Sequence, residues 1–145
     1  MVLLSALFIG FSSNTCDSDY YDGSEMPSCQ MKIVNMSAIN IHACVVGHKK
    51  ATEEISDNLV TPTKVRVRPG EYGEKVKIWM NNKGNHNWSE CFSDMIDMLY
   101  VAIAVDEHSI DKWLDDMDES RLLVLYKFSL DDLGADKKNK TVYYF

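Results

Sequence analysis

Four cysteines are the residues of this chain most able to do chemistry: Cys16, Cys29, Cys44 and Cys91. Their spacing contains no CxxC motif, which argues against a zinc site or a thioredoxin-like redox pair. An even number of cysteines is compatible with two disulfide bonds in an oxidising compartment. Of the three possible pairings, we favour Cys16–Cys29, which brackets a polar loop, together with Cys44–Cys91, which would join two strand-like segments.

The sequence contains none of the common catalytic motifs: GxSxG, the P-loop, GxGxxG and HExxH are all absent. The histidines are scattered, and we interpret His42, two residues from Cys44 on one strand face, as a packed structural residue. We therefore predict that the protein is not an enzyme and has no catalytic residues, metal ligands or cofactor. The alternative is a secreted enzyme such as a glycosidase, because the spacing of a carboxylate pair in the fold cannot be read from sequence.

An acidic run between Asp106 and Glu119 suggests a second alternative, a calcium-binding extracellular module. The run lacks the DxDxDG spacing of an EF-hand loop. A solvated helix face explains these carboxylates better, so no metal ligand is predicted here.

The charge balance limits the class of partner. The chain has 145 residues, with 22 acidic and 15 basic side chains and a net charge of -7. This length corresponds to one domain. An acidic domain is poorly suited to general binding of nucleic acid, which depends on an excess of Lys and Arg.

A local basic stripe reverses this charge on one proposed β-hairpin. Strand alternation puts its basic residues on one face, and a Pro-Gly turn joins the two strands. We predict that this stripe and its tip bind a partner, with membranes contacted only peripherally; the residues are Lys64, Arg66, Arg68, Glu71, Tyr72, Lys75, Lys77 and Trp79. The alternative is that outward Lys and Arg only deter pairing at the sheet edge. The loop at residues 81–88 is a second candidate contact surface.

The compartment is predicted from the N-terminus and the glycosylation sequons. Residues 1–12 resemble a signal peptide, although no basic residue precedes the apolar run, and a buried N-terminal strand is the alternative. Three N-x-S/T sequons, at Asn35, Asn87 and Asn139, predict glycosylation. A glycan on Asn87 would block much of the loop at residues 81–88. Together these features predict a secreted, extracellular protein.

Hydrophobic periodicity predicts a mainly β fold. Period-two patterns indicate about seven strands, near residues 30–34, 39–45, 64–68, 76–80, 99–105, 122–128 and 141–145. Apolar residues at i, i+3, i+4 and i+7 from Ile110 to Met117 predict one short helix, with Ser109 as its cap. We expect a signal peptide at residues 1–12, a disulfide-tied polar segment at 13–29, and a disulfide-bonded antiparallel β-sandwich at 30–145.

The order of short motifs from Met31 onward resembles the plant self-incompatibility S-protein homologues. The matching segments are a strand ending at Asn35, a strand carrying His42 and Cys44, the Pro69-Gly70 turn, the stretch leading to Cys91, and a closing aromatic strand at residues 143–145. The chain is also similar to the fungal thaumatin-like yeast-phase secreted proteins. Both resemblances imply a secreted, non-catalytic recognition protein, a ligand or effector that engages a receptor or host protein through its surface loops.

Overall fold

The computed structural model describes residues 27–49, 59–70, 73–78, 84–92 and 96–145. Within these ranges the strands are β1 (Cys29–Asn35), β2 (Ile41–Lys49), β3 (Leu59–Val67), β4 (Glu74–Ile78), β5 (Ile96–Ala104), β6 (Val124–Phe128) and β7 (Asn139–Tyr144). The helices are α1 (Trp88–Phe92), α2 (Glu107–Asp116) and α3 (Leu130–Leu133), with a 3-10 turn at Glu119–Arg121. The predicted signal peptide, and all but residues 27–29 of the polar segment after it, lie outside the described residues.

The described strands form two sheets that share one core. A small sheet has the order β4-β1-β7, and a large sheet has the order β3-β2-β5-β6. Inward side chains of both sheets belong to a single buried cluster, with Met31 and Val76 from the small sheet and Val45 and Val101 from the large one. The prediction of a mainly β protein with seven strands is therefore confirmed. The expectation of a purely antiparallel fold is wrong, because β1 and β7 pair in parallel.

Helix α2 covers the outer face of the large sheet. Ile110 and Trp113 of the helix join Cys44, Ala102 and Ala104 of the sheet in a second buried cluster. This second layer explains why β5 is apolar on both faces, as predicted for a central strand covered on each side.

The predicted helix is confirmed, but its start is different. Asp106 is the N-cap, and its carboxylate accepts a 2.8 Å hydrogen bond from the backbone N–H of Ser109. The prediction of Ser109 as the cap is therefore wrong. The carboxylate of Asp106 accepts from an otherwise free N–H of the first turn. The helix therefore begins several residues before Ile110, the first residue of the apolar spacing.

The predicted hairpin between β3 and β4 is also wrong, although both strands exist. β3 is an edge strand of the large sheet and pairs with β2, whereas β4 is an edge strand of the small sheet and pairs with β1. The connection between them passes from one sheet to the other. A period-two pattern fixes which side chains face the core, but it does not fix which strand is the neighbour.

The side chain of Asn35 is buried at this crossing and holds the two sheets together. Its Nδ2 donates to the carbonyl oxygens of Ile39, at 2.6 Å, and Val67, at 3.0 Å. Its Oδ1 accepts from the backbone N–H of Ser37 at 3.0 Å. The N–H of Gly70, where φ is 145°, donates to the Asn35 carbonyl at 3.0 Å. The end of β1 is thus bonded to the end of β3 and to the residues that leave it.

We predict that Asn35→Ala lowers the free energy of unfolding by about 2–4 kcal/mol, because two carbonyl groups lose their donor in a largely buried site. Urea denaturation measures the change. Asn40→Ala is the matched control, since Asn40 is exposed near the same corner. Equal stability of the two variants would contradict a structural role for the Asn35 amide.

Candidate functional site

The most distinctive surface of the described structure is the outer face of the small sheet. Alternation along β1 and β4 directs one set of residues into the core, so the residues between them point to solvent. Lys32 of β1 and Lys75 and Lys77 of β4 lie on this outer side, and Lys138 lies just before β7. We call these four residues the lysine face.

The strand register brings the lysine face together. Lys32 lies directly opposite Lys75, and Gln30 lies opposite Lys77. On the other side of β1, Thr141 of β7 is the register partner of Lys32. Three of the four lysines, Lys32, Lys75 and Lys138, line a shallow depression of about 390 Å³.

No carboxylate compensates this positive charge in the described part of the chain. The ion pairs found there involve Lys64, Lys112 and two histidines, and none involves a residue of the lysine face. Nearby Lys140 differs, since its ammonium lies 5.3 Å from the centre of the Phe128 ring. Like charges placed directly opposite each other destabilise a sheet. Among the described residues, the lysine face therefore forms no ion pair, in a protein whose net charge is -7.

The crossing between the sheets divides the predicted basic stripe. Lys64 and Arg66 pair in register with Cys44 and His42, so they lie on the outer face of the large sheet, beside α2. Arg68 is exposed after the end of β3. The stripe is therefore not one surface, and only Lys75 and Lys77 remain in the candidate site.

Lys64 already forms ion pairs with two carboxylates of α2. Its Nζ lies 2.7 Å from Asp111 Oδ1 and 2.8 Å from Glu107 Oε2. Hydrogen bonds to these two carboxylates raise the pKa of the Lys64 ammonium. Lys64 thus helps to dock the helix and is poorly placed to bind a partner.

Other predicted contact residues fall elsewhere. Glu71, Tyr72 and Trp79 lie outside the described residues, as does part of the loop at residues 81–88. Trp88, at the end of that loop, is fully buried in the main core, so the prediction of a contact surface is wrong there. Sequence reasoning missed Lys32 and Lys138. Strand alternation could have predicted that Lys32 faces outward, but nothing in the sequence shows that β1 lies beside β4.

The three described cysteines are buried free thiols, and Cys16 lies outside the described residues. Cys44 belongs to the cluster under α2, whereas Cys91 belongs to the core between the sheets. The predicted Cys44–Cys91 pairing is therefore wrong, because the large sheet separates the two side chains. Burial raises the pKa of the Cys44 thiol to about 12.

The three sequons differ in accessibility. Asn35 is fully buried and its Nδ2 donates two hydrogen bonds, so the folded domain has no room for a glycan there. Asn87 is half-buried, and its Oδ1 accepts from the N–H of Glu90 at 2.9 Å. Asn139 is exposed at the start of β7, next to Lys138.

A cavity of about 440 Å³ opens between the sheets beside β3 and β4. Its described walls are mainly aliphatic, with Val45, Val65 and Val76 among them, and the titratable residues among them are Lys75 and Lys77. General acid–base chemistry needs convergent groups that can exchange protons near neutral pH. The described lining residues include no carboxylate or histidine for that purpose.

The acidic run has structural roles. Asp106 caps α2, Asp118 accepts from the N–H of Ser120 at 2.9 Å, and Asp116 lies 2.9 Å from the Lys112 ammonium. Among the described residues there is no group of three or more His, Cys, Asp or Glu side chains that could hold a metal ion.

The described helices include none long and apolar enough to cross a membrane. Comparison of the chain with protein families, curated proteins and solved structures finds no match.

Proposed function

We propose that this is a secreted, non-catalytic recognition protein that binds an acidic segment of a protein partner through the lysine face. The observation that carries the proposal is a set of lysines on one sheet surface that form no ion pair with any described residue, in a chain with net charge -7. Carboxylates of a partner would relieve the repulsion between Lys32 and Lys75, which oppose each other in register. Complementary charge of this kind mainly sets the rate and specificity of association.

The aliphatic cavity and the structural use of the acidic run support recognition over the two alternatives. A glycosidase would need a pair of carboxyl groups beside a substrate cleft. A calcium module would need several oxygen ligands that converge on one point. Several carboxylates of the acidic run, those of Asp106, Asp111, Asp116 and Asp118, are instead engaged in caps and ion pairs.

Secretion is supported by the signal-like residues 1–12, by the exposed sequon at Asn139, and by the resemblance to secreted S-protein homologues. The basic face then meets its partner outside the cell, at a receptor or host protein. Asn139 lines the same depression as Lys32 and Lys75, so a glycan there would occupy part of the lysine face and weaken binding of the partner.

We predict that the double variant Lys75→Gln/Lys77→Gln binds poly-L-glutamate roughly fivefold more weakly than the native chain at low salt. Two exposed charge contacts are lost, each worth at most about 1 kcal/mol. Isothermal titration measures the affinity. The matched control is Arg66→Gln/Arg68→Gln, which removes the same charge from β3 and the residues after it.

An equal loss in both double variants would show that only net charge matters, which would contradict the assignment of the site. Vesicles containing phosphatidylserine form the second arm of the experiment. Binding to those vesicles without binding to poly-L-glutamate would assign the face to a membrane surface and overturn the proposal of a protein partner.

We predict that a eukaryotic host that expresses residues 1–145 secretes the protein into the medium, and that the secreted protein has lost its N-terminal signal peptide. Intact-mass analysis after removal of glycans gives the cleavage site. The control carries Leu4→Arg and Phe8→Arg, which interrupt the apolar run that a signal peptide requires. Equal retention of both chains inside the cell would contradict secretion.

A further inference from the structure

Two of the buried cysteines are neighbours in the main core. Cys29 begins β1 and Cys91 lies in α1, and neither side chain is exposed to solvent. Both side chains belong to the same buried core cluster, and they are close enough for each thiol to alter the pKa of the other. The two sulfurs are thus neighbours, although the sequence favoured a different partner for each of them.

The backbone on both sides of this contact is already fixed. The N–H of Asn85 donates to the Pro27 carbonyl at 2.8 Å, which joins the approach to α1 to the approach to β1. The N–H groups of Gln30 and Trp88 donate to the carbonyls of Lys138 and Lys137, at 2.8 and 2.7 Å. The segments that carry both cysteines are therefore held against the same turn before β7. Both are free thiols in the structure, so their sulfurs must approach each other for a disulfide to form.

We propose that Cys29 and Cys91 form a disulfide bond when the chain folds in an oxidising compartment. The pair is a covalent cross-link site between β1 and α1. The oxidant is a low-molecular-weight disulfide of the glutathione class. The inference does not depend on the lysine face.

The chemistry is thiol–disulfide exchange. The Cys29 thiolate attacks one sulfur of the oxidant, which releases one thiol and leaves a mixed disulfide on Cys29. The Cys91 thiol then loses its proton and attacks the Cys29 sulfur, which releases the second thiol. The cysteine pair is oxidised by two electrons, and the small disulfide is reduced to two thiols.

The two thiols are unequal in a way that suits this order. The hydrogen bond from Cys91 lowers the pKa of Cys29, and the charge of Lys138 acts in the same direction. The same hydrogen bond and burial raise the pKa of Cys91. Both side chains are sealed in the folded core, so we expect the exchange to occur when Cys29 and Cys91 have met but solvent still reaches them.

Peptide mapping without reduction tests the proposal on the full chain, refolded with oxidised and reduced glutathione. We expect the peptide containing Cys29 to be linked to the peptide containing Cys91. The cross-link closes a loop of roughly sixty residues, so reduction should lower the melting temperature by on the order of 10 °C. Cys44 should remain a free thiol, since it lies in the cluster under α2, on the other side of the large sheet from Cys29 and Cys91.

Cys29→Ser is expected to abolish the effect of reductant on the melting temperature, and Cys44→Ala, the matched control, is expected to keep it. If a variant does not fold, peptide mapping of the native chain still shows whether Cys29 and Cys91 are linked. A link from Cys29 to Cys16, a link from Cys91 to Cys44, or two free thiols after refolding would each overturn the proposal. None of these outcomes affects the binding of poly-L-glutamate by Lys75 and Lys77, so the two proposals fail separately.

Discussion

The buried amide of Asn35 holds the chain at the point where it leaves one sheet for the other. Its two N–H groups bond carbonyls on either side of this corner, one of them at the end of β3 in the large sheet. A buried carbonyl without a donor costs free energy, so this arrangement favours one path for the chain after Val67. That path makes β3 and β4 edge strands of opposite sheets.

The distribution of charge follows from this corner. The basic residues that form one predicted stripe in the sequence lie on the outer faces of two different sheets. On the large sheet, Lys64 is neutralised by Glu107 and Asp111 and helps to hold α2. On the small sheet, Lys75 instead faces Lys32, and the described chain provides no carboxylate for either. The same kind of residue therefore holds a helix on one face and forms no described ion pair on the other, where we propose that a partner binds.

Local patterns predicted the elements well. Seven strands and the amphipathic helix could be predicted because an element buried on one face has apolar residues at a regular spacing. The spacing is two residues in a strand and about 3.6 in a helix. The doubly apolar pattern of β5 even predicted that both its faces are covered. The N-cap at Asp106 was missed because a cap lies outside the apolar spacing that reveals the helix.

Neighbours in space could not be predicted in the same way. The parallel pairing of β1 with β7 joins the two ends of the described chain, and no local signal marks it. The same limit explains why Cys91 was assigned to Cys44 although Cys29 is its neighbour. It also explains why the lysine face was found only in part, since Lys32 meets Lys75 through the pairing of β1 with β4, and Lys138 joins them through the pairing of β1 with β7.

A backbone amide chemical-shift map of the protein, titrated with poly-L-glutamate, shows whether the lysine face is the binding surface. We expect the perturbed amides to cluster on β4, β1 and the start of β7. Perturbations centred on β3 and α2, or spread evenly over the basic residues of the described chain, would contradict it.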